Sequence, residues 1–543
     1  MGRSTSTSSS SVSSWEDWLE QALQALQSSM LLRSLRPLAP SEVAAAAAAT
    51  GGGDCKSLRA TGNDTPSFQT FQGLGTWDRA AVEVEVSHAT FQCWNRESPS
   101  TGAEVCNLED VLDFPSSGVV AVDCCHKLRL FSGNDYLGLS VHPAVRSAAA
   151  EAALEFGMGP RASALVCGYT YHHRLLESTI AELKSTEECL LCPSGFAANM
   201  AVMTAVTSLA PGTVKVQENV VAIFSDALNH ASIIDGARVA QRQSNAEVYV
   251  YKHNDMAHLQ FLLSKCTRER KVVVTDSLFS MDGDFAPLVE LVALRRQHGF
   301  LLVIDEAHGT LVCGENGGGV AEALGVQDEI DIHVGTLSKA VGCQGGFIAS
   351  SQKWKQWIQS RGRSFIFSTA LPIPIVAAAH AAILVAREEK WRQRAVWERV
   401  QQLSQATGLH FTSPIAPIIL GSADDTLKAS RQLLMAGFHV SAIRPPTVAS
   451  NASRLRITLS AAHTTADVEA LVVALSPWIK TTCSSPSFRQ YAAHRFDLSL
   501  PKEISQTLPR NHMIGMSSQG SQGKHYTNAG ITKAGILFIQ PKL

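Results

Sequence analysis

Five times between about residues 160 and 350, a short apolar run stops abruptly at glycine or polar residues. Leu190-Leu191 leads to Gly195, and Val220 to Phe224 leads to Asp226 and His230. Val272-Val273-Val274 leads to Asp276 and Ser280, Leu301 to Ile304 leads to Asp305 and His308, and Ile332 to Val334 leads to Thr336 and Lys339. Helical patterns fill the intervals. Strands that read as continuous apolar runs are covered on both faces, as happens in parallel sheets with helical crossovers. The pattern predicts an α/β fold around a mostly parallel sheet. Ligands of open α/β sheets bind beyond the carboxyl ends of the strands, and these ends carry reactive or phosphate-binding residue types.

Lys339 and Asp305 give the pattern its chemistry. A lysine that forms a Schiff base with an aldehyde, and an aspartate that keeps a pyridine nitrogen protonated, are what pyridoxal phosphate requires. Asp305 also has a plainer reading as a helix cap, and His308, three residues on, as a hydrogen-bonded core histidine. His230 is either a loop histidine or a flat partner for a pyridine ring. Gly195-Phe196 opens a helical run, where unpaired N–H groups and the helix dipole favour a phosphate; an ordinary strand–helix turn is the alternative. Thr336 offers a hydroxyl to the same phosphate. No GxGxxG follows the first strand, which disfavours a dinucleotide enzyme.

A net charge of −2 gives no sign of a nucleic-acid partner. No charge-free run of 18 apolar residues is present, so no membrane span is expected. The twelve cysteines are scattered and read as reduced intracellular thiols. Cys189 and Cys192 form a CxxC without a partner pair; they read as buried strand thiols, and no metal site is expected.

Residues 1–14 and 44–53 are low-complexity, and Trp15 to Leu35 has the spacing of a helical docking arm. The closing Pro541-Lys542-Leu543 resembles the tripeptide read by the peroxisomal import receptor, so peroxisome and cytosol are both expected locations. After about residue 375 a long helix is expected from Ile375 to Trp397. Alternating runs follow, including Arg454-Leu455-Arg456-Ile457-Thr458-Leu459, which predict a smaller α+β domain. On a strand Arg454, Arg456 and Thr458 share one face. One of the arginines is expected to clamp a carboxylate, and at least one to face solvent. The expected organisation is an N-terminal region 1–124, a large cofactor-binding domain 125–374, a small domain 375–478 and an irregular tail 479–543.

Ser132-Gly133-Asn134-Asp135-Tyr136-Leu137-Gly138-Leu139, Phe279-Ser280-Met281-Asp282-Gly283-Asp284, Asp305-Glu306-Ala307-His308-Gly309 and Thr336-Leu337-Ser338-Lys339 together resemble the α-oxoamine synthase family over about residues 125–478. The resemblance implies a fold type I pyridoxal phosphate transferase that condenses an amino acid with an acyl-CoA, releases carbon dioxide and acts as a homodimer. It implies that Lys339 anchors the cofactor and serves as base, that Asp305 pairs with the pyridine nitrogen and that His230 stacks on the ring. His308 and Ser280 would hold the ring oxygen, and Gly195, Phe196 and Thr336 the phosphate. Asn134 and Arg456 would hold the amino-acid carboxylate, with Thr447 and Arg36 as further substrate contacts; Arg33 competes with Arg36. Ala442-Ile443-Arg444-Pro445-Pro446-Thr447-Val448 and Asp284 resemble the members that join L-alanine to pimeloyl-CoA in biotin biosynthesis. Members using glycine with acetyl-CoA or succinyl-CoA, and non-catalytic partner subunits on the same fold, are the alternatives. Residues 157–168 are looser than the family's Gly-Ser-rich turn, which leaves acyl-chain selection the least determined feature.

Overall fold

The apolar runs pair into one seven-stranded sheet. In this computed structural model, which describes residues 39–40, 69–96, 125–208, 220–244 and 246–484, the strand order is Glu188–Cys192, Gly346–Ser350, Ile332–Thr336, Leu301–Asp305, Lys271–Asp276, Ala222–Asp226, Glu247–Tyr251. Only Gly346–Ser350 runs antiparallel to its neighbours; the other pairings are parallel. The expected docking arm, Arg33, Arg36 and the terminal tripeptide lie outside the described residues.

Continuous apolar runs arise because each face has its own core. Phe224, Val273, Leu302 and Ile304 pack on one side. Ile223, Val272, Val274 and Val303 pack on the other, against the helices Gly195–Val206 and Ala231–Ser244. Cys189 and Cys192 are buried in the edge strand, where burial pushes both thiols up. They behave as small apolar side chains. Among the described residues no helix is long and apolar enough to cross a membrane.

The long helix expected from Ile375 to Trp397 is two helices, Ile373–Glu388 and Trp391–Thr407. The break falls where Glu389 turns inward. Its carboxylate accepts from Phe71 N (2.6 Å), from His142 Nε2 (3.2 Å) and from Arg392 Nε (2.6 Å). Arg392 is fully buried; Nη1 donates to Asp78 (2.8 Å) and to the Leu137 carbonyl (3.0 Å), and its guanidinium lies over the rings of Trp77 and Trp391. These tertiary bonds outweigh the few tenths of a kcal/mol per residue that helix propensity contributes.

Beyond the break, Ile415–Gly421, Ser453–Thr458 and Ser441–Ile443 form an antiparallel sheet with Ser453–Thr458 in the centre. All six residues of the central strand are buried. The expectation that at least one of its arginines faces solvent is therefore corrected: Arg454 and Arg456 are 4% and 7% exposed. A central strand covered on both faces has no solvent side, and each guanidinium is satisfied by a turn of the large sheet.

Residues 69–96, on which the sequence places no element, contribute the strand Glu83–Ser87 and the helix His88–Arg96. Glu83–Ser87 pairs with Cys125–Leu130, which also pairs with Phe438–His439. Cys125–Leu130, counted above with the large domain, thus joins the C-terminal part of the chain.

Candidate active site

The parallel register places the strand ends side by side: Asp276 is the partner of Asp305, and Asp305 of Val334. Lys339 follows two residues after Leu337, whose N–H closes onto the Gly345 carbonyl (2.9 Å) and turns the chain back toward the sheet edge. Lys339 Nζ lies 2.9 Å from His308 Nε2, and His308 Nδ1 lies 2.7 Å from the Tyr136 hydroxyl. Burial, then the Lys339 and Arg456 charges, hold His308 well below its usual range. It is therefore a neutral imidazole, donating through one nitrogen and accepting through the other. Burial also lowers Lys339 to about 8, against the opposing pull of Asp305 and Asp276.

Asp305 accepts from Ala307 N (2.8 Å) and from Asn199 Nδ2 (2.6 Å). The first bond closes a local turn and corrects the helix-cap reading, since no helix follows Asp305 before Val320; the second orients the carboxylate from the helix Gly195–Val206. Glu306 instead accepts from Lys184 in the core. Asp276 is raised well above the carboxylate range, first by burial and then by the Asp305 charge. The Asp305 charge beside it thus favours the protonated form of Asp276. Asp276 also receives the His230 backbone N–H at 2.7 Å. His230 Nδ1 faces Ser232 Oγ (2.7 Å) and Ser232 N (3.2 Å), which leaves the proton on Nε2, and desolvation lowers its pKa.

The helix containing Phe196 begins at Gly195, capped by the Ser194 hydroxyl accepting from Ala197 N (3.1 Å). A Cβ on Gly195 would stand 3.1 Å from Thr336 Cβ and 3.5 Å from Thr336 Oγ1, filling the gap between helix start and strand end. The exposed Ser338 hydroxyl lies 2.7 Å from Thr336 Oγ1. A helix N-terminus, two hydroxyls and a glycine that keeps their approach open suit a phosphate. A lysine at one side and an aspartate beyond the Asn199 amide suit the rest of pyridoxal phosphate. The Asn199 Oδ1 atom is buried with no partner, a further polar group that this site leaves to a ligand or its proton. The residues present therefore fit the cofactor.

From the small sheet, Arg456 Nε donates to the Ser280 carbonyl (2.5 Å) and Nη2 to Asn134 Oδ1 (3.2 Å). Arg454 donates to Asp282 (2.7 Å) and to the Met281 carbonyl (3.1 Å). The structure thus brings Arg456 to the candidate site and commits Arg454 to the neighbouring turn. Thr447 is exposed in a turn closed by its N–H to the Arg444 carbonyl (3.0 Å), and no hydrogen bond ties it to the Lys339 group.

Tyr136, Asn199, Asp276 and Ser338 belong to the site's hydrogen-bond framework, although the sequence assigns none of them a contact with cofactor or substrate. Tyr136 and Ser338 lie inside quoted motifs, and Asp276 ends a strand as Asp305 does. Asn199 gave no signal beyond its place four residues after Gly195, one helical turn on.

The sequence model of the aminotransferase class I and II family matches residues 127–475. The 8-amino-7-oxononanoate synthase of Arabidopsis thaliana is 58% identical over 441 residues, covering 79% of this chain and 90% of that protein. The 8-amino-7-oxononanoate synthase of Anaeromyxobacter dehalogenans (strain 2CP-1 / ATCC BAA-258) is 44% identical, covering 67% and 89%. Among solved structures, the serine palmitoyltransferase of S. paucimobilis with bound PLP and myriocin matches with a TM-score of 0.61 at 28% identity, covering 66% of this chain and 89% of that one.

Proposed function

The chain belongs to the aminotransferase class I and II family and is a pyridoxal phosphate-dependent acyltransferase, and we propose that within this class it joins L-alanine to pimeloyl-CoA. The products would be 8-amino-7-oxononanoate, CoA and carbon dioxide, a step of biotin biosynthesis. The observation that carries the proposal is the line Lys339–His308–Tyr136 beside Asp305, in a chain so similar to the Arabidopsis synthase.

Pyridoxal phosphate, when bound, supplies a sink for the electrons left at the amino acid Cα. Lys339 would hold it covalently, Gly195, Phe196, Thr336 and Ser338 its phosphate, and Asp305 its ring nitrogen. His230 would lie on the ring face, and His308 and Ser280 at the ring oxygen. Arg456, with Asn134, clamps the alanine carboxylate in a charge-assisted pair. Lys339, lowered to about 8, supplies free amine near neutral pH and takes the Cα proton. The new bond forms between Cα and the thioester carbonyl carbon, the thiolate leaves as CoA, and the clamped carboxylate leaves as carbon dioxide. Lys339 returns the proton to Cα. Neutral His308 holds Nζ without adding charge beside it.

The deciding assay is CoA release by purified protein with alanine plus pimeloyl-CoA, against glycine plus succinyl-CoA or acetyl-CoA. Faster release with a glycine pair would overturn the substrate assignment. A homodimer belongs to the same proposal. Leu154, Met158, Leu165, Val166 and Tyr171 are large exposed side chains within one stretch, the kind of surface that association covers. Light scattering should give twice the chain mass; a monomer at micromolar concentration would refute it.

A further inference from the structure

The loops bearing His230 and Ser280 meet at an imidazole outside the cofactor framework. His253 follows the strand Glu247–Tyr251. Its Nδ1 lies 2.9 Å from Asp226 Oδ1 and its Nε2 2.8 Å from Asp284 Oδ2. An imidazole with a carboxylate at each nitrogen donates at both, so it carries two protons and a positive charge.

Each carboxylate ties down one loop. Asp226 Oδ1 also accepts from Leu228 N (2.8 Å), fixing the turn that delivers Asn229 and His230. Asp226 Oδ2 accepts from Asn254 N (2.9 Å). Asp284 closes the turn that begins at Phe279, whose N–H donates to the Asp284 carbonyl (2.9 Å), and Ser280 lies between them. Asn254 reinforces the bridge: its Nδ2 donates to Asp284 Oδ2 and to the Phe285 carbonyl, both at 3.1 Å. Asn254 adopts φ +52°, a left-handed conformation that asparagine tolerates better than most residues. There its backbone N–H serves one carboxylate and its side chain the other. Phe279 meets the His253 ring edge-on at 4.4 Å between centroids.

We propose that His253 is a positioning residue: as imidazolium it locks the His230 loop and the Ser280 turn at one separation, and so sets how firmly the cofactor ring is held. The inference rests on the reading that His230 and Ser280 touch that ring. The facing charges are Asp226 and Asp284; on its own segment Lys252 is exposed and Asp255 caps the next helix through His258 N. Burial lowers the His253 pKa, but the two carboxylates override it and raise it to about 9. The bridge is therefore complete below that pH and is lost as pH rises through it.

The test uses the full-length holoenzyme, with cofactor release at equilibrium followed by its visible absorbance from pH 7 to 10.5. H253Q should weaken retention at pH 7.5 by about ten- to a hundredfold, as loss of charge-assisted hydrogen bonds does, and should lack the step near pH 9. D284N keeps an acceptor oxygen facing His253 and removes one of its two charges, so its step should move to lower pH. H253Q that folds with cofactor retention within twofold of the unaltered enzyme overturns the proposal. If H253Q does not fold, D284N decides alone: an unmoved step overturns it. S280A separates the two levels of inference. If S280A leaves retention unchanged, the reading of the ring contacts fails; if S280A weakens it and H253Q does not, only the role of His253 fails.

Discussion

Lys339 is set apart from a surface lysine by its burial and by the groups burial places around it. A charged amine is disfavoured there, and two nearby carboxylates only partly restore it, which leaves the pKa at about 8. Because the free amine is the nucleophile toward an aldehyde, cofactor capture by the apoenzyme should accelerate as pH rises through about 8 and then level off. Stopped-flow absorbance measures this; a midpoint near 10.5 would show an ordinary lysine. K339A should lose the visible absorbance of the bound cofactor and lower turnover by about 10²–10⁴-fold or more, the scale of a lost general base. D305A should retain cofactor yet exchange the alanine Cα proton with solvent far more slowly, which NMR in deuterated buffer would read. Near-normal exchange would remove Asp305 from its role. The two arginines of Ser453–Thr458 show what residue type alone leaves open. Both are buried, and only their partners, Ser280 and Asn134 for Arg456 but Asp282 for Arg454, tell them apart.

At the scale of elements, the turn from Ser280 to Asp284 joins the two sheets. Arg454 holds Asp282 from the small sheet, and His253 holds Asp284 from the large one. Gly283 sits at its apex with φ +67°, and a Cβ there would stand 2.2 Å from the Ile415 carbonyl oxygen. Neither a side chain nor a non-glycine backbone is accommodated without movement of that strand. G283A should therefore cost about 1–3 kcal/mol of stability, seen in denaturant titration, and raise the alanine KM by displacing Ser280 and its bond to Arg456. Unchanged stability would mean that the strand yields freely. The helix break at Glu389 shows the opposite relation between sequence and structure. Apolar periodicity runs through it, and buried polar bonds interrupt it.

For the whole molecule, Arg392 links parts that are far apart in the chain. It joins Asp78, the Leu137 carbonyl beside Tyr136, and Glu389, to which Phe71 and His142 also bind. Removing a fully buried cation leaves two carboxylates uncompensated, a change that costs about 3–5 kcal/mol. R392L should lower thermal stability accordingly, and because Leu137 adjoins Tyr136 it should also disturb the His308 contact. A melting temperature within about 1 °C of the unaltered protein, roughly the shift that 1 kcal/mol produces in a chain of this length, would show that the network contributes little.

The sequence by itself determined the parallel sheet, the residues at its strand ends, Lys339 and Asp305 among them, and pyridoxal phosphate as the cofactor. Those follow from periodicity and residue type, which act over a few residues and are written locally. It also carried the family motifs, although Tyr136 and Ser338 sat within them without a role. Only the tertiary structure decided which arginine reaches the candidate site, where the long helix breaks, and that Cys125–Leu130 pairs with both Glu83–Ser87 and Phe438–His439. It alone showed that Asn199 orients Asp305, that Asp276 sits beside it and that His253 spans two carboxylates. These depend on side chains tens to hundreds of residues apart. A hydrogen bond or a pKa is set by distance and burial, and neither can be read before the chain has packed.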